Sequence, residues 1–267
     1  MFSNMKIDAS RLYSAIYERR SRRSYEPKPI DPELLNEVST FCKEFRPFSE
    51  ARAILIPQQV DKVFRGIIGP RGAPAFIAFV GRTDDYHIQE KIGYTGEAVI
   101  LKATSLKLST CWVGGFLRRS RLETLVDTTN NERVFAITAI GYAKEAESLR
   151  EKVMTGFGWT HRRKPLSGLV TGLPEESWPD WTRCALKAAR VAPSATNRQP
   201  WKFYVDRNSI TISVKETGYD FNLSKRLDCG IAMLHIEIAA LNQGEHGDWE
   251  LLEAPQVARF TVNNNNS

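Results

Sequence analysis

Two segments of the chain resemble each other at one constant offset, and this internal similarity limits the architectures that the chain can adopt. An ungapped alignment pairs Gly93 with Gly230, Ala103 with Ala240 and Trp112 with Trp249. Diverged repeats of this kind can pack around a pseudo-two-fold axis, as the subunits of a homodimer do. Three identities are also compatible with chance, so the duplication is a hypothesis about the fold.

The length and composition indicate a globular chain that has no membrane-spanning segment. The 267 residues suffice for one large domain or two small ones with a sizeable core. Charged residues make up 25% and hydrophobic residues 42%, which disfavours disorder. Apolar runs such as 75–80 are too short to span a bilayer, and residues 1–10 lack the apolar core of a signal peptide. We therefore expect a cytoplasmic protein that binds no membrane.

The cysteines and histidines show no metal-ligand spacing. The cysteines are far apart and are interpreted as buried, reduced thiols: Cys42, Cys111, Cys184 and Cys229. Three histidines are interpreted as surface residues or as hydrogen-bonded helix residues: His87, His235 and His246. We therefore expect neither a metal site nor a disulfide framework.

Hydrophobic periodicity and turn residues predict alternating helices and strands. Helices are predicted at 9–22, from Asp31 onward, and at 84–108, 121–127, 179–190 and 228–244. Strands are predicted at 52–58, 73–81, 134–143, 249–252 and 257–262, with a hairpin over 201–216. Segment 171–180, rich in Pro, Gly and acidic residues, is the best candidate linker between two parts.

Two basic clusters suggest a site for an anion. Arg19–Tyr25 supplies guanidinium groups and hydroxyls where a helix gives way to an extended segment, and His161–Leu166 is a second basic cluster. The net charge of +6 also favours an anionic ligand or partner. Arginine matches phosphate oxygens in a bidentate manner, so the two clusters could close on one phosphate. A solvated face or a nucleic-acid patch would give the same pattern.

Two loops carry residues that suit a flat, polar ligand. Trp112–Phe116 contains two glycines, which let backbone N–H groups approach such a ligand, although an ordinary helix C-terminal turn would look alike. Ala192–Gln199 combines a stiffening Pro193 with hydroxyl and amide side chains that can recognise a polar heterocycle. A commonplace turn is the alternative interpretation of this second loop.

Together these segments resemble the nitroreductase-like family of FMN-dependent oxidoreductases. The family's Arg-Arg-Ser-x-Arg-x-aromatic motif is matched within Arg19–Tyr25, and its Cys-Trp-x-Gly-Gly-Phe turn within Cys111–Phe116. Its Ala-Pro-Ser-x-x-Asn-x-Gln-Pro-Trp loop is matched within Ala192–Trp201, and its late basic segment by Arg163 and Pro165. The resemblance implies an α+β fold with mixed, mostly antiparallel sheets flanked by helices.

The order of the motifs departs from that of ordinary members. The Pro-Ser loop usually comes before the Gly-Gly turn, whereas here it follows the basic segment. The chain therefore resembles a fused, internally duplicated branch, with two unequal repeats packed as an intrachain pseudo-dimer. Residues 1–173 would hold the FMN phosphate, and the shorter repeat, 174–267, would place the Pro-Ser loop over the flavin ring. Only one complete flavin site could form, and such a chain would have no need to dimerise.

The resemblance also implies the function and the site residues. FMN would carry electrons from NADH or NADPH to a small organic acceptor such as a nitroaromatic, a quinone or a flavin. A storage or sensing protein that binds flavin is one alternative, and a nucleic-acid binder is another. No catalytic side chain is expected, because the cofactor performs the chemistry. The expected cofactor-binding residues are Arg19, Arg20, Ser21, Arg23, Gly114, Gly115, His161, Arg162, Arg163, Pro193, Ser194, Ala195, Asn197 and Gln199.

Overall fold

Helices and strands alternate along the chain. The computed structural model describes residues 8–64, 69–144, 162–214, 219–220 and 223–263. Its helices are α1 (Ala9–Glu18), α2 (Pro32–Glu44), α3 (Ile88–Ser105), α4 (Arg119–Leu125), α5 (Asp180–Arg190) and α6 (Lys225–Asn242). Its strands are β1 (Ala51–Ile56), β2 (Ala75–Arg82), β3 (Ser109–Val113), β4 (Glu132–Gly141), β5 (Val170–Gly172), β6 (Trp201–Val205), β7 (Ser209–Val214), β8 (Tyr219–Asp220), β9 (Leu223–Ser224), β10 (Gly247–Leu251) and β11 (Gln256–Val262).

Two main sheets confirm the predicted α+β class with mostly antiparallel pairing. The first has the order β1-β2-β4-β3, and all of its neighbouring strands are antiparallel. The second has the order β10-β11-β7-β6-β5, in which β5 and β6 form a parallel pair. Strands β8 and β9 form a separate small pair. No helix in these described ranges is long and apolar enough to cross a bilayer.

A local sequence signal explains the start of α2, whereas α1 ends earlier than predicted. The Asp31 carboxylate accepts hydrogen bonds from the backbone N–H groups of Glu33 and Leu34, which confirms the predicted N-cap. The prediction that the first helix reaches residue 22 is wrong, because α1 ends at Glu18. The Arg20 guanidinium there binds the carbonyls of Tyr17 and Arg19, at 2.8 and 2.9 Å. These carbonyls lie at a helix end, where intrahelical partners are lacking.

Helices α3 and α6 form the centre of the fold. Each contains 18 residues, and each is buried along nearly its whole length and around its circumference. The burial of α3 therefore extends well beyond the single apolar face of an ordinary surface helix. The helix packs on the first sheet and on α6 at the same time, so polar side chains such as Thr95 and Glu97 are also buried. Such groups require hydrogen-bond partners inside the protein.

The two central helices approach each other at the aligned glycines. A Cβ atom added at Gly93 would lie 2.0 Å from the carbonyl oxygen of Leu227, and one added at Gly230 would lie 2.0 Å from that of Glu90. Leu227 precedes Gly230 by three residues, as Glu90 precedes Gly93. This reciprocity is what a two-fold axis through the helix crossing produces.

The strand orders follow the same relation as the glycines. Starting from the strand that carries the aligned tryptophan, β3-β4-β2-β1 in the first sheet corresponds to β10-β11-β7-β6 in the second. Strand β5 extends the second sheet, although it lies within the predicted first half, 1–173. These relations support the proposed duplication. The division after Leu173 stays a prediction.

Replacing either central glycine by alanine is expected to destabilise the protein. The new methyl group would meet backbone rather than a movable side chain, so the helices would have to separate, at a cost of about 3 kcal/mol. Urea unfolding followed by circular dichroism measures the change for Gly93→Ala and Gly230→Ala. The control is Gly168→Ala, because a Cβ atom there has its nearest neighbour at 4.0 Å. Equal stability of all three variants would contradict the close crossing.

Candidate functional site

Strand β3 brings two of the predicted motifs together. Ser21 pairs with Thr110 of β3 in a parallel bridge, and the Arg22 N–H donates to the Thr110 carbonyl at 3.0 Å. The strand ends at Val113, so Gly114 and Gly115 follow it directly. The alternative interpretation of this Gly-Gly turn as the end of a helix is therefore wrong. The arginine-rich segment and the Gly-Gly turn lie along one strand.

Leu223 connects the Gly-Gly turn to the Pro-Ser loop. A Cβ atom at Gly114 would lie 2.3 Å from the Leu223 Cδ2 atom, so a side chain at this position would collide with Leu223. The Leu223 carbonyl accepts a hydrogen bond from the Arg198 guanidinium at 3.2 Å. A loop that lies far away in the sequence thus meets the end of β3.

Asp228 at the start of α6 fixes the Pro-Ser loop. Its carboxylate accepts the Ala195 N–H at 3.1 Å and the Arg198 Nε at 2.6 Å. Within the loop, the Ser194 hydroxyl oxygen accepts the Gln199 N–H at 2.9 Å. These bonds, together with a short 3-10 helix at Ala195–Asn197, give the loop a defined shape.

Three residues of the same loop have left-handed backbone conformations. Thr196, Asn197 and Gln199 have φ angles of +52°, +57° and +46°. Such angles are unfavourable for residues other than glycine and persist where surrounding contacts hold them. Strain of this kind concentrates at ligand sites, so the loop is a candidate binding element and not a commonplace turn.

The amide side chains of the loop bind the late basic segment. The Arg163 guanidinium donates to the Asn197 Oδ1 atom at 2.5 Å, and the Asn197 amide donates to the Arg162 carbonyl at 3.0 Å. The Gln199 side chain accepts the Lys164 N–H at 2.8 Å and donates to the same Arg162 carbonyl. The loop that was expected to face the ring thus also holds the arginine that was expected to bind the phosphate.

Several guanidinium groups gather at this junction. Burial first, and then the nearby charges of Arg19, Arg190 and Arg20, lower the pKa of Arg163 to about 10. Burial also lowers the pKa of Arg19, against the opposing effect of the Glu97 carboxylate. The Arg19 Nε is buried, and it has no hydrogen-bond partner within the described parts of the chain. A cluster of positive charges in which the buried Arg19 has an unsatisfied donor fits an anion.

Glu97 places a buried carboxyl group beside this cluster, and the sequence did not reveal its role. Its Oε1 lies 3.8 Å from the Arg19 Nε and 3.0 Å from the His235 Nε2. Its Oε2 accepts the indole N–H of Trp112 at 2.7 Å. A glutamate in an otherwise apolar stretch of α3 was the available signal. His235 is a buried, hydrogen-bonded helix residue, which confirms one of its two predicted interpretations.

The other predicted residues lie on the same segments. Arg23 accepts the Arg71 N–H at its carbonyl, at 2.9 Å, and Pro193 is buried next to Ser194. His161 lies outside the described residues. Two surface grooves, of about 470 and 540 Å³, contain none of the predicted residues. Polar contacts, rather than a groove, therefore define the candidate site.

Replacing Asp228 by asparagine is expected to loosen the Pro-Ser loop. The change leaves the Arg198 charge without its buried partner, and the loss of one member of a buried pair costs about 3 kcal/mol. Amide hydrogen exchange over residues 193–199 should become faster, and urea unfolding should occur at a lower concentration. The control is Asp206→Asn in the exposed hairpin turn. Unchanged exchange in Asp228→Asn would show that other contacts fix the loop.

Comparison with known proteins agrees with this arrangement. Residues 11–240 match the family model described as "Putative TM nitroreductase". A structure from Thermotoga maritima, described as a "putative nitroreductase", has 17% identity and a TM-score of 0.66, with 98% of each chain covered. This similarity supports the fold. No curated protein sequence matches the chain.

Shorter proteins resemble part of the chain. A nitroreductase with bound FMN from Bacteroides fragilis has 19% identity and a TM-score of 0.44, and covers 52% of this chain and 91% of its own. A nitroreductase family protein from Clostridium difficile 630 has 19% identity and a TM-score of 0.44, and covers 61% and 96%. The family assignment rests on the family match over residues 11–240. By that match, the chain belongs to the nitroreductase family.

Proposed function

We propose that this protein is an FMN-dependent oxidoreductase that passes electrons from NADH or NADPH to a small organic acceptor. The observation that carries the proposal is the cluster of Arg19, Arg20, Arg163 and Arg190, in which one buried donor is unsatisfied. In a protein of the nitroreductase family, the phosphate of FMN is the anion that suits this cluster.

The electrostatics of the cluster fit a phosphate group. The lowered pKa of Arg163 means that burial and neighbouring positive charges disfavour its charged form. A phosphate dianion would offset both effects, and arginine can bind it through two parallel hydrogen bonds. We therefore assign Arg19 and Arg163 to the phosphate, with Arg20, Ser21 and Arg23 as further contacts to the phosphate and the ribityl chain.

The segments around Leu223 suit the ring of the flavin. Gly114 and Gly115 follow a strand, and without Cβ atoms their backbone N–H groups can approach a flat ligand closely. A backbone N–H near the reactive ring nitrogen would stabilise the negative charge that reduction creates. Pro193, Ser194, Ala195 and Asn197 would cover the ring from the other side. When bound, FMN supplies the hydride and electron transfer.

We further propose a single site, formed between 1–173 and 174–267. The arginines of the first part and the loop of the second part are in contact through Arg163 and Asn197. The second part contains no Arg-Arg-Ser motif and no late arginine cluster. Nitroaromatics, quinones and flavins are the acceptor classes we consider, and a chain with both parts of the site would act without a second copy.

For the arginines of the candidate site, the nucleic-acid alternative is disfavoured by the burial of Arg19 and by the contacts that hold Arg163. Arg19 is only 8% exposed, and Arg163 is held by Asn197 and by the carbonyl of Val191. Side chains held in this way are poorly placed for the phosphates of a duplex, which are contacted at a protein's surface. A small anion that enters the junction suits them better.

Reduction of bound flavin distinguishes an enzyme from a storage protein. The protein should take up FMN and become yellow, and anaerobic NADH or NADPH should bleach the colour within seconds. Absorbance in a stopped-flow instrument measures both events. A protein that binds FMN but stays yellow with both donors would be a storage or sensing protein. Failure to bind FMN would contradict the proposal altogether.

Replacing Arg163 by glutamine is expected to weaken FMN binding by about 2 kcal/mol, the size of one set of charge-assisted hydrogen bonds. Riboflavin lacks the phosphate, so its binding should change much less. Quenching of flavin fluorescence gives both dissociation constants. Arg207→Gln in the exposed turn between β6 and β7 is the control and should leave both unchanged. An equal loss for FMN and riboflavin would remove Arg163 from the phosphate site.

A further inference from the structure

Glu97 and His235 are joined by a buried hydrogen bond that requires a shared proton. The His235 Nδ1 lies 2.9 Å from the carbonyl oxygen of Ala188, which can only accept, so Nδ1 carries a hydrogen. The opposite nitrogen, Nε2, lies 3.0 Å from the Glu97 Oε1. A second proton must therefore lie between them, either on the imidazole or on the carboxyl group.

Without this proton, two hydrogen-bond acceptors, the His235 Nε2 and the Glu97 Oε1, would face each other with no hydrogen between them. Glu97 and His235 are both 0% exposed, so bulk water cannot separate the bare nitrogen from the carboxylate oxygen. A buried acceptor without a donor is unfavourable by roughly 1–3 kcal/mol. The proton is thus part of the contact between α3 and α6.

The same carboxylate oxygen faces Arg19. The Arg19 Nε lies 3.8 Å from the Glu97 Oε1, which is the atom that meets His235. With the proton present, Glu97 and His235 together are neutral, and the positive charge of Arg19 is free to attract an anion. Without the proton, the pair carries a negative charge that neutralises Arg19 and competes with any phosphate. The charge on the pair therefore controls the charge available to the ligand.

We propose that Glu97 and His235 are positioning residues whose shared proton frees Arg19 to bind the phosphate of the flavin nucleotide. The inference rests on the proposed function, because it assigns Arg19 to that phosphate. By linkage, phosphate binding favours the protonated pair, and the affinity for FMN falls as the pair loses its proton with rising pH.

Other charged and titratable groups lie near Arg19 or on the elements that pack with the pair. They are Arg19 and Arg20 after α1, Cys111 on β3, Arg163 in the basic segment, Arg190 at the end of α5, and Glu237 on α6, which faces Tyr94 and Trp249. Arg163 has a pKa of about 10 and stays mostly charged below pH 9. The second ionisation of a phosphate ester lies near pH 6. In a window of roughly pH 7 to 9, neither Arg163 nor the phosphate changes its charge much, so a slope of affinity with pH there comes from another group.

The experiment compares FMN and riboflavin binding across this window by flavin fluorescence. In the unchanged protein the dissociation constant for FMN should rise with pH, by at most about tenfold per unit for one coupled proton. The constant for riboflavin should stay level. His235→Gln can still donate to Glu97 but cannot titrate, and Glu97→Gln removes the charge, so both should give a level FMN profile. His246→Gln, at an exposed histidine, should keep the original slope.

A level FMN profile in the unchanged protein, or an unaltered slope in His235→Gln, would overturn the inference. If the variants do not fold, histidine-selective labelling of the unchanged protein provides the test. Addition of FMN or inorganic phosphate at about pH 8.5 should shift the His235 ring resonances towards the protonated form, and unshifted resonances would refute the coupling. Absence of any FMN binding would instead defeat the proposed function, and the resonances with inorganic phosphate would still decide the role of the pair.

Discussion

The close backbone contact between α3 and α6 is the constraint on which the site depends. At Gly93 and Gly230 there is no room for a side chain, so the helix axes lie near enough for side chains further along to meet directly. One turn beyond Gly93, Glu97 reaches His235 of the other helix, and through His235 it connects to the carbonyl of Ala188 in α5. A wider crossing would leave these buried polar groups without partners.

The fold brings several arginine-bearing segments together, and this explains the excess of positive charge at the candidate site. Strand β3 of the first sheet carries Trp112 and pairs with Ser21, Arg19 directly follows α1, and the basic segment supplies Arg163. Gathering several guanidinium groups, of which Arg19 is buried, beside one carboxyl group leaves an excess of positive charge, which is costly where the surroundings have low polarity. The protein tolerates this cost at the place where the Gly-Gly turn and the strained Pro-Ser loop meet. Stored electrostatic repulsion and backbone strain at one position are typical of a binding site.

Much of the fold was predictable because it depends on local signals. The Asp31 cap, the hairpin of β6 and β7 and the two long helices all follow from short-range patterns, and the structure confirms them. The end of α1 was not predictable, because it depends on the pairing of Ser21 with a strand far along the chain. The full burial of α3 also depends on two layers packing on it at once.

The motifs of the site were recognisable from the sequence, but their partners were not. Asp228 and Leu223 were overlooked because neither belongs to a motif, and their roles follow from distances to Arg198 and Gly114. Asn197 and Gln199 were expected to contact the flavin ring. In the structure their side chains also form hydrogen bonds with the basic segment. A sequence pattern indicates which groups a site contains, while the tertiary fold determines which of them neutralise each other.

Two buried glutamates on the central helices, Glu97 on α3 and Glu237 on α6, have different hydrogen-bond partners. Each aligned tryptophan donates its indole N–H at 2.7 Å to a buried glutamate, Trp112 to Glu97 and Trp249 to Glu237. Glu97 faces the ionised Arg19 and a histidine, whereas Glu237 faces the Tyr94 hydroxyl, and burial raises the pKa of Glu237. The two buried glutamates thus have different partners, and it is Glu97 that lies beside the arginine assigned to the phosphate in the proposed function.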